Sequence, residues 1–205
     1  MCNLFASTLP QEAMRRLFPA ARDRLGNLAP LPEVYPDRLA PILRNSPEGP
    51  ELVLARWGLP TPPAFLAGKK TDRGITNVRN TASAHWRRWL GPAFRCLVPF
   101  TRFAEPAPGG GNVWFGFADG RPAFFAGLQV PGWRSVRRLK DGETVDDLFA
   151  FLTCPPNAEV GAIHPKAMPV ILDAPEAWAL WLTAPAPEAL ALQRQLPDGA
   201  LQQVA

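Results

Sequence analysis

A single α+β domain over residues 1–205, built on a curved, largely antiparallel β core with flanking helices, is the fold class this sequence predicts. Three observations carry that prediction. The middle of the chain alternates short apolar runs with Gly/Pro turns, which reads as β structure. Helical patterns are confined to the two ends and one basic stretch. A chain of 205 residues that is 47% hydrophobic suits one domain with its own core. Proline is the outlier at 25 residues. Pro and Gly together still stay below the roughly 25–30% of low-complexity chains, so the prolines read as rigid loops in a folded domain.

Taken in order, Thr8 with Gln11 three residues on reads as a capping box opening a short helix, which Pro19 ends or bends. The run ELVLARWGL, residues 51–59, reads as a strand. Residues 82–90, around SAHWRRWL, suit a helix. FRCLVPF, NVWFGFA, PAFFAGL and LFAFLTC, divided by turns such as PAPGGG and ADGRP, argue several β-strands. Residues 175–196 read as two helices broken at Ala184-Pro185, with Leu and Trp at helical spacing as core packing. No repeat, heptad, GxGxxG or GxxxxGK[ST] loop occurs, so nucleotide hydrolysis loses its usual support.

No charge-free apolar run approaches the ~20 residues of a membrane helix, and Met-Cys-Asn-Leu-Phe lacks the basic start of a signal peptide. A soluble, cytoplasmic protein without membrane contact is the expectation. Cys2, Cys96 and Cys154 are too scattered for a disulfide scaffold or a C-x-x-C zinc site, and two histidines form no metal cluster. Reduced thiols and no metal or cofactor are therefore expected.

The net charge is +4, but it is unevenly spread. Between Lys69 and Arg102 lie eight basic residues and the single acid Asp72, a local charge of +7. Trp86, Trp89, Phe94 and Phe100 interleave with the arginines. Arginine forks match phosphate oxygens and aromatic faces stack bases, a mixture that suits single-stranded nucleic acid. A solvated surface is the plainer reading of the same stretch.

Few groups are able to do chemistry. His85 lies in the basic helix, where it reads as facing solvent or a phosphate. His164, in AIHPKAMPVIL, precedes an apolar run and reads first as a hydrogen-bonded loop histidine. Glu105 is the only acid between Asp72 and Asp119. It either neutralises arginines or, raised toward neutrality by an apolar setting, moves protons. Cys2 becomes the first residue once Met1 is removed, placing a free α-amine and a thiol on one residue. At an amine pKa near 7.7–8.0, roughly 10–20% is neutral at pH 7 and able to attack an aldehyde. The tethered thiol then closes a five-membered thiazolidine. The ring-opened sugar of an abasic site is the aldehyde that DNA supplies.

These residues resemble a known pattern, the SOS-response-associated peptidase (SRAP) family, whose members process abasic sites in single-stranded DNA. The matching pieces are Met1-Cys2, Trp57-Gly58-Leu59-Pro60, Asn77-Val78-Arg79, Arg95-Cys96-Leu97-Val98-Pro99 leading to Phe103-Ala104-Glu105, Phe125-Ala126-Gly127-Leu128, and His164 before Met168-Pro169-Val170-Ile171-Leu172. Their order and spacing are specific together, though no single piece is. The resemblance implies a barrel-like β core, Cys2 as covalent nucleophile and Asn77 positioning the Cys2 end or the opened sugar. It further implies that Glu105 moves protons, His164 assists ring opening or exchange, and Arg79 holds a DNA phosphate. It also implies peptidase or autoproteolytic removal of Met1 and a lyase-type DNA reaction; a monomer, associated with the nucleoid when bound to DNA, is the accompanying expectation. The family's N-A-R-x-E-T continues here as Asn77-Val78-Arg79-Asn80-Thr81-Ala82, without the acid. Pro106 replaces the aromatic after the glutamate. H-x-R-M-P becomes His164-Pro165-Lys166-Ala167-Met168-Pro169, one residue longer and without arginine. Two alternatives stand beside this reading: an N-terminal-nucleophile amidohydrolase, and a non-catalytic single-stranded nucleic-acid-binding module.

Overall fold

The computed structural model describes residues 2–204. In chain order it begins with β1 (Leu4–Ser7), α1 (Gln11–Leu17), β2 (Arg22–Asp23), β3 (Leu31–Val34) and the hairpin β4 (Leu39–Ser46) and β5 (Gly49–Trp57). Next come α2 (Pro63–Leu66), β6 (Asn77–Val78), α3 (Ala84–Arg87), β7 (Arg95–Phe100), β8 (Arg102–Pro106) and β9 (Asn112–Gly116). The long pair β10 (Ala123–Arg138) and β11 (Gly142–Cys154) follows. The chain closes with α4 (Ala158–Gly161), β12 (Met168–Pro169), β13 (Ile171–Leu172), α5 (Pro175–Thr183), α6 (Ala186–Leu190) and β14 (Gln202–Val204).

Five strands in the order β11-β10-β7-β4-β5 close into a barrel, because β5 pairs back onto β11 through Arg56↔Leu148 and Trp57↔Phe149. That closing contact is parallel; the other barrel pairings are antiparallel. Closure removes the open edges that a flat apolar sheet would expose. A second sheet, β14-β9-β8-β1-β3, lies against the barrel. Phe5 of its strand β1 plugs the barrel, its ring 5.1–6.1 Å from Trp57, Phe125 and Phe151 in edge-on contacts. Such T-shaped pairs add about 0.5–1.5 kcal/mol each beyond burial. They fix β1, and with it the chain's N-terminal end, against the barrel.

The hairpin of β10 and β11 outruns the barrel. Register shifts between Val130 and Trp133, where Pro131-Gly132 interrupts the ladder. Proline donates no backbone N–H, so it sits at a bulge rather than within regular pairing. Up to Val130 β10 is buried; beyond it the residues are exposed or half-buried, Arg137 alone excepted, giving an arm that projects from the barrel.

The expected α+β class with a curved barrel core holds, and the four apolar segments become β7, β9, β10 and β11. The two C-terminal helices break at Ala184-Pro185 as expected, and Trp181 donates its indole N–H to Cys96 O at 3.0 Å. Two local expectations need correction. Thr8 is not a helix cap: Pro10 precedes α1 with no side-chain cap, while the Thr8 hydroxyl meets Thr101 Oγ1 at 3.0 Å. Residues 82–90 give only the single turn of α3, and its continuation is closed off by Gly91, held extended before Pro92, and by the turn Pro92–Phe94 that leads into β7.

Candidate active site

Four elements converge beside the N-terminal end. Cys2 lies two residues before β1 and is 1% exposed. β8 is its antiparallel neighbour, with Leu4 opposite Ala104, so Glu105 stands beside the start of the chain. Asn77 belongs to β6, held parallel to β11 through Phe151↔Asn77. His164 follows α4, with its backbone N–H bonded to Val160 O at 2.8 Å.

These side chains form two contacting pairs, Asn77 with Cys2 and His164 with Glu105, and the negative charge of Glu105 acts on the Cys2 thiol. Asn77 Nδ2 donates to the Cys2 carbonyl at 2.9 Å and to Thr76 Oγ1 at 2.8 Å. The Cys2 thiol donates to Leu4 O at 3.4 Å. His164 Nδ1 lies 3.0 Å from Ala167 O and 3.4 Å from Glu105 Oε2. A carbonyl only accepts, so Nδ1 carries the proton in that bond.

Burial sets the electrostatics. Glu105 is 0% exposed, and desolvation pushes its carboxyl up to about 7. The Cys2 thiol is driven far above its ordinary value, first by burial and then by the negative charge of Glu105. At neutral pH the sulfur is therefore a thiol, next to a carboxyl that exchanges protons there. Such a pairing can hand a thiol proton to the carboxylate and return it to a departing oxygen.

Arg79 is exposed two residues beyond Asn77, its guanidinium bonded to Lys166 O at 2.6 Å. The rest of the basic stretch divides. Trp86, Trp89 and Phe100 are buried as core, so they are not base-stacking faces. Arg95 is 0% exposed and bonds to Ala184 O. His85 reaches Pro60 O at 3.0 Å and packs edge-on against Trp86 and Trp89, rather than facing solvent or a phosphate. Aromatic and cationic residues alternate in the sequence, but in the packed chain Trp86, Trp89 and Phe100 fold inward, while Arg79, Arg87 and Arg88 stay outside and Arg95 is buried with them.

A different surface joins charge to apolar faces. Three hollows of about 490, 580 and 670 Å³ adjoin: the first two share Asp37, Arg137 and Arg138, the last two Thr71 and Arg73. Exposed Tyr35, Phe65 and Leu139, with Lys69 and Lys70, line this run. The last hollow ends at Ile75, one residue before Thr76, whose Oγ1 meets Asn3 Oδ1 at 3.5 Å. Sequence reasoning missed Tyr35 and the arm residues Arg137 and Arg138, which lie far from the basic stretch and are brought to it only by folding. Among the described residues no group of three or more His, Cys, Asp or Glu is placed to hold a metal, and no helix is long and apolar enough to cross a membrane.

Fold and site together define a β-barrel protein whose polar centre is assembled around its own N-terminal cysteine. Residues 1–204 match the family model described as SOS response associated peptidase (SRAP), and the chain belongs to that family. A crystal structure of a Bordetella bronchiseptica protein is similar at 29% identity and TM-score 0.69, covering 100% of both chains. A phage-related protein from the same organism shares the fold at 23% identity and TM-score 0.71, over 99% of this chain and 93% of that one. So does a Bacteroides thetaiotaomicron protein at 18% identity and TM-score 0.70, over 97% and 90%. No curated protein matches the chain.

Proposed function

We propose that the mature chain, starting at Cys2, captures an abasic site in single-stranded DNA as a thiazolidine cross-link and shields the lesion from strand cleavage. Membership of the SRAP family supports an SOS-associated role on DNA. The observation that carries the finer reading is the convergence of Asn77, Cys2, Glu105 and His164 beside the start of the chain, with Asn77 two residues on from a basic, aromatic-edged hollow that ends at Ile75. Hydrolysis of the Met1–Cys2 bond, by the protein itself or by an aminopeptidase, frees the α-amine; Met1 lies outside the described residues.

The chemistry then balances as a condensation. The neutral amine adds to C1′ of the opened sugar, and loss of water from that adduct leaves an imine, with Glu105 or His164 protonating the departing hydroxyl. The thiol adds across the C=N bond: sulfur bonds to C1′, and its proton reaches the nitrogen by way of the Glu105 carboxylate. One water leaves per cross-link. A thiol held neutral suits this order, because the amine attacks first and the sulfur is deprotonated only as it closes the ring. Asn77 fixes the Cys2 carbonyl, which orients the amine and thiol together.

Tag-free protein incubated with an abasic oligonucleotide is expected to give a shifted band on a denaturing gel, and Cys2→Ala to give none. No band with wild type, or an undiminished one with Cys2→Ala, overturns the reading. Ammonia release from glutamine would favour an amidohydrolase instead, and binding indifferent to the abasic site would favour a plain nucleic-acid-binding module. Arg79 is proposed to hold a phosphate. Arg79→Ala is then expected to weaken DNA binding and lower the slope of log K against log salt by about one contact. Titrations at several salt concentrations check this; an unchanged slope places Arg79 off the DNA.

A further inference from the structure

A buried guanidinium that reaches across two elements ties them together, because withdrawing it leaves its donors and their acceptors unpaired. Arg137, on the projecting arm, is 5% exposed. Its Nη2 donates to Gly58 O and its Nη1 to Asp72 O at 3.2 Å. Gly58 immediately precedes the segment 59–75 and Asp72 lies within it; the ends of that segment are bridged by Leu59↔Ile75 with backbone bonds of 2.8 and 2.9 Å. The arm also supplies Val136 O to the Asp72 N–H at 2.9 Å.

The segment is built to receive that side chain. Gly58 and Gly74 have φ of +142° and +78°, and Arg137 lies against both. A Cβ at Gly74 would collide with Nη1 and with Gly58, and one at Gly58 would stand 3.2 Å from the same nitrogen. The Asp72 carboxylate braces the segment from within, accepting from Thr61 Oγ1 at 2.5 Å, Thr61 N at 3.1 Å and Gly74 N at 2.8 Å. Phe65, Lys69, Lys70 and Arg73 ride on this segment and wall the groove. Immediately after it come Thr76 and Asn77, the latter holding the Cys2 carbonyl.

We propose that Arg137 is a positioning residue: it latches the arm of β10 and β11 onto the 59–75 segment and so sets the wall of the groove along which DNA approaches Cys2. This rests on the proposed abasic-site reaction for its activity readout, and has a readout that does not. The arm is thereby a working part of the groove rather than an ornament of the barrel. The latch acts on how DNA is held, leaving the reacting groups at Cys2, Glu105 and His164 in place.

The test uses Arg137→Met, which keeps an apolar stem and removes both bonds. Amide hydrogen exchange is expected to accelerate within 59–75 while β7 and β10 up to Val130 keep their protection. The DNA concentration giving half-maximal cross-linking is expected to rise about tenfold, with the rate at saturating DNA within about twofold of wild type. Thr61→Val, which cuts the internal brace without touching the arm, is expected to shift both readouts in the same direction by less, and serves if Arg137→Met does not fold. Unchanged exchange in 59–75, or a fall in saturated rate at unchanged half-saturation, overturns the latch. A wild type that forms no cross-link while exchange responds as stated overturns the abasic reading and leaves the latch standing.

Discussion

Glu105→Gln is expected to slow cross-linking by about 10²–10⁴-fold at pH 7.5 and, in the same molecule, to raise its stability. The two effects share one cause. Burial raises the Glu105 carboxyl from its ordinary 4.5 to about 7. Below pH 4.5 the folded and unfolded chains both carry a protonated Glu105, and nothing is lost. Above it the unfolded chain ionises first, so folding stability falls by about 1.4 kcal/mol per pH unit until the folded carboxyl also ionises near 7. Beyond that pH the accumulated loss is on the order of 3 kcal/mol. Glutamine has no such ionisation, so the variant gains up to that amount above pH 7 and little below pH 4.5. Denaturant unfolding at pH 4.5 and pH 8 checks the stability arm; equal differences between wild type and variant at both values would refute it. Single-turnover cross-linking checks the other arm. A buried, raised carboxyl serves proton transfer at neutral pH and costs stability there, a combination that a purely neutralising residue would not give.

How much of this was legible in the sequence follows from the range of the interactions. Strands such as β7, β10 and β11 are written in local apolar runs bounded by turns, so the β-rich middle and the paired C-terminal helices could be read directly. β3 and β4 could not: LPEV and LAPILRNS carry proline and weak alternation, and pairing with β1 and β5 makes them strands. Barrel closure through Arg56↔Leu148 joins positions some 90 residues apart and leaves no local mark. The candidate site divides in the same way. Cys2 was legible from its position, and Glu105 from its isolation among basic residues, whereas Asn77 and His164 came from family resemblance. The rings of the basic stretch were misread as stacking faces because charge and aromaticity were read along the chain, while Trp86 and Trp89 turn into the core and the exposed rings Tyr35 and Phe65 lie outside that stretch.

Blocking the α-amine is expected to have the largest effect of all. A variant with a short, uncleavable extension before Cys2 keeps every side chain of the site yet has no primary amine at its reacting end. The amide nitrogen that remains does not condense with an aldehyde, so no imine forms and there is nothing for the thiol to close upon. Stable cross-linking is expected to drop at least about 10³-fold, while affinity for undamaged single-stranded DNA changes little. Cys2→Ser separates the two halves of the reaction, because it retains the amine once Met1 is removed and loses only the sulfur. It is expected to give an adduct that survives a denaturing gel only after borohydride reduction, the mark of an imine without ring closure. The wild-type adduct persists without reductant, since C1′ there bears C–N and C–S single bonds in a closed ring. Intact-mass spectrometry of each protein before reaction fixes which N-terminus is present. Full cross-linking by the extended protein, with the extension still in place by mass, would remove the amine from the mechanism and leave the thiol alone as the nucleophile. Full, reductant-independent cross-linking by Cys2→Ser would do the opposite, making the amine sufficient and Cys2 sulfur a bystander in a buried pocket.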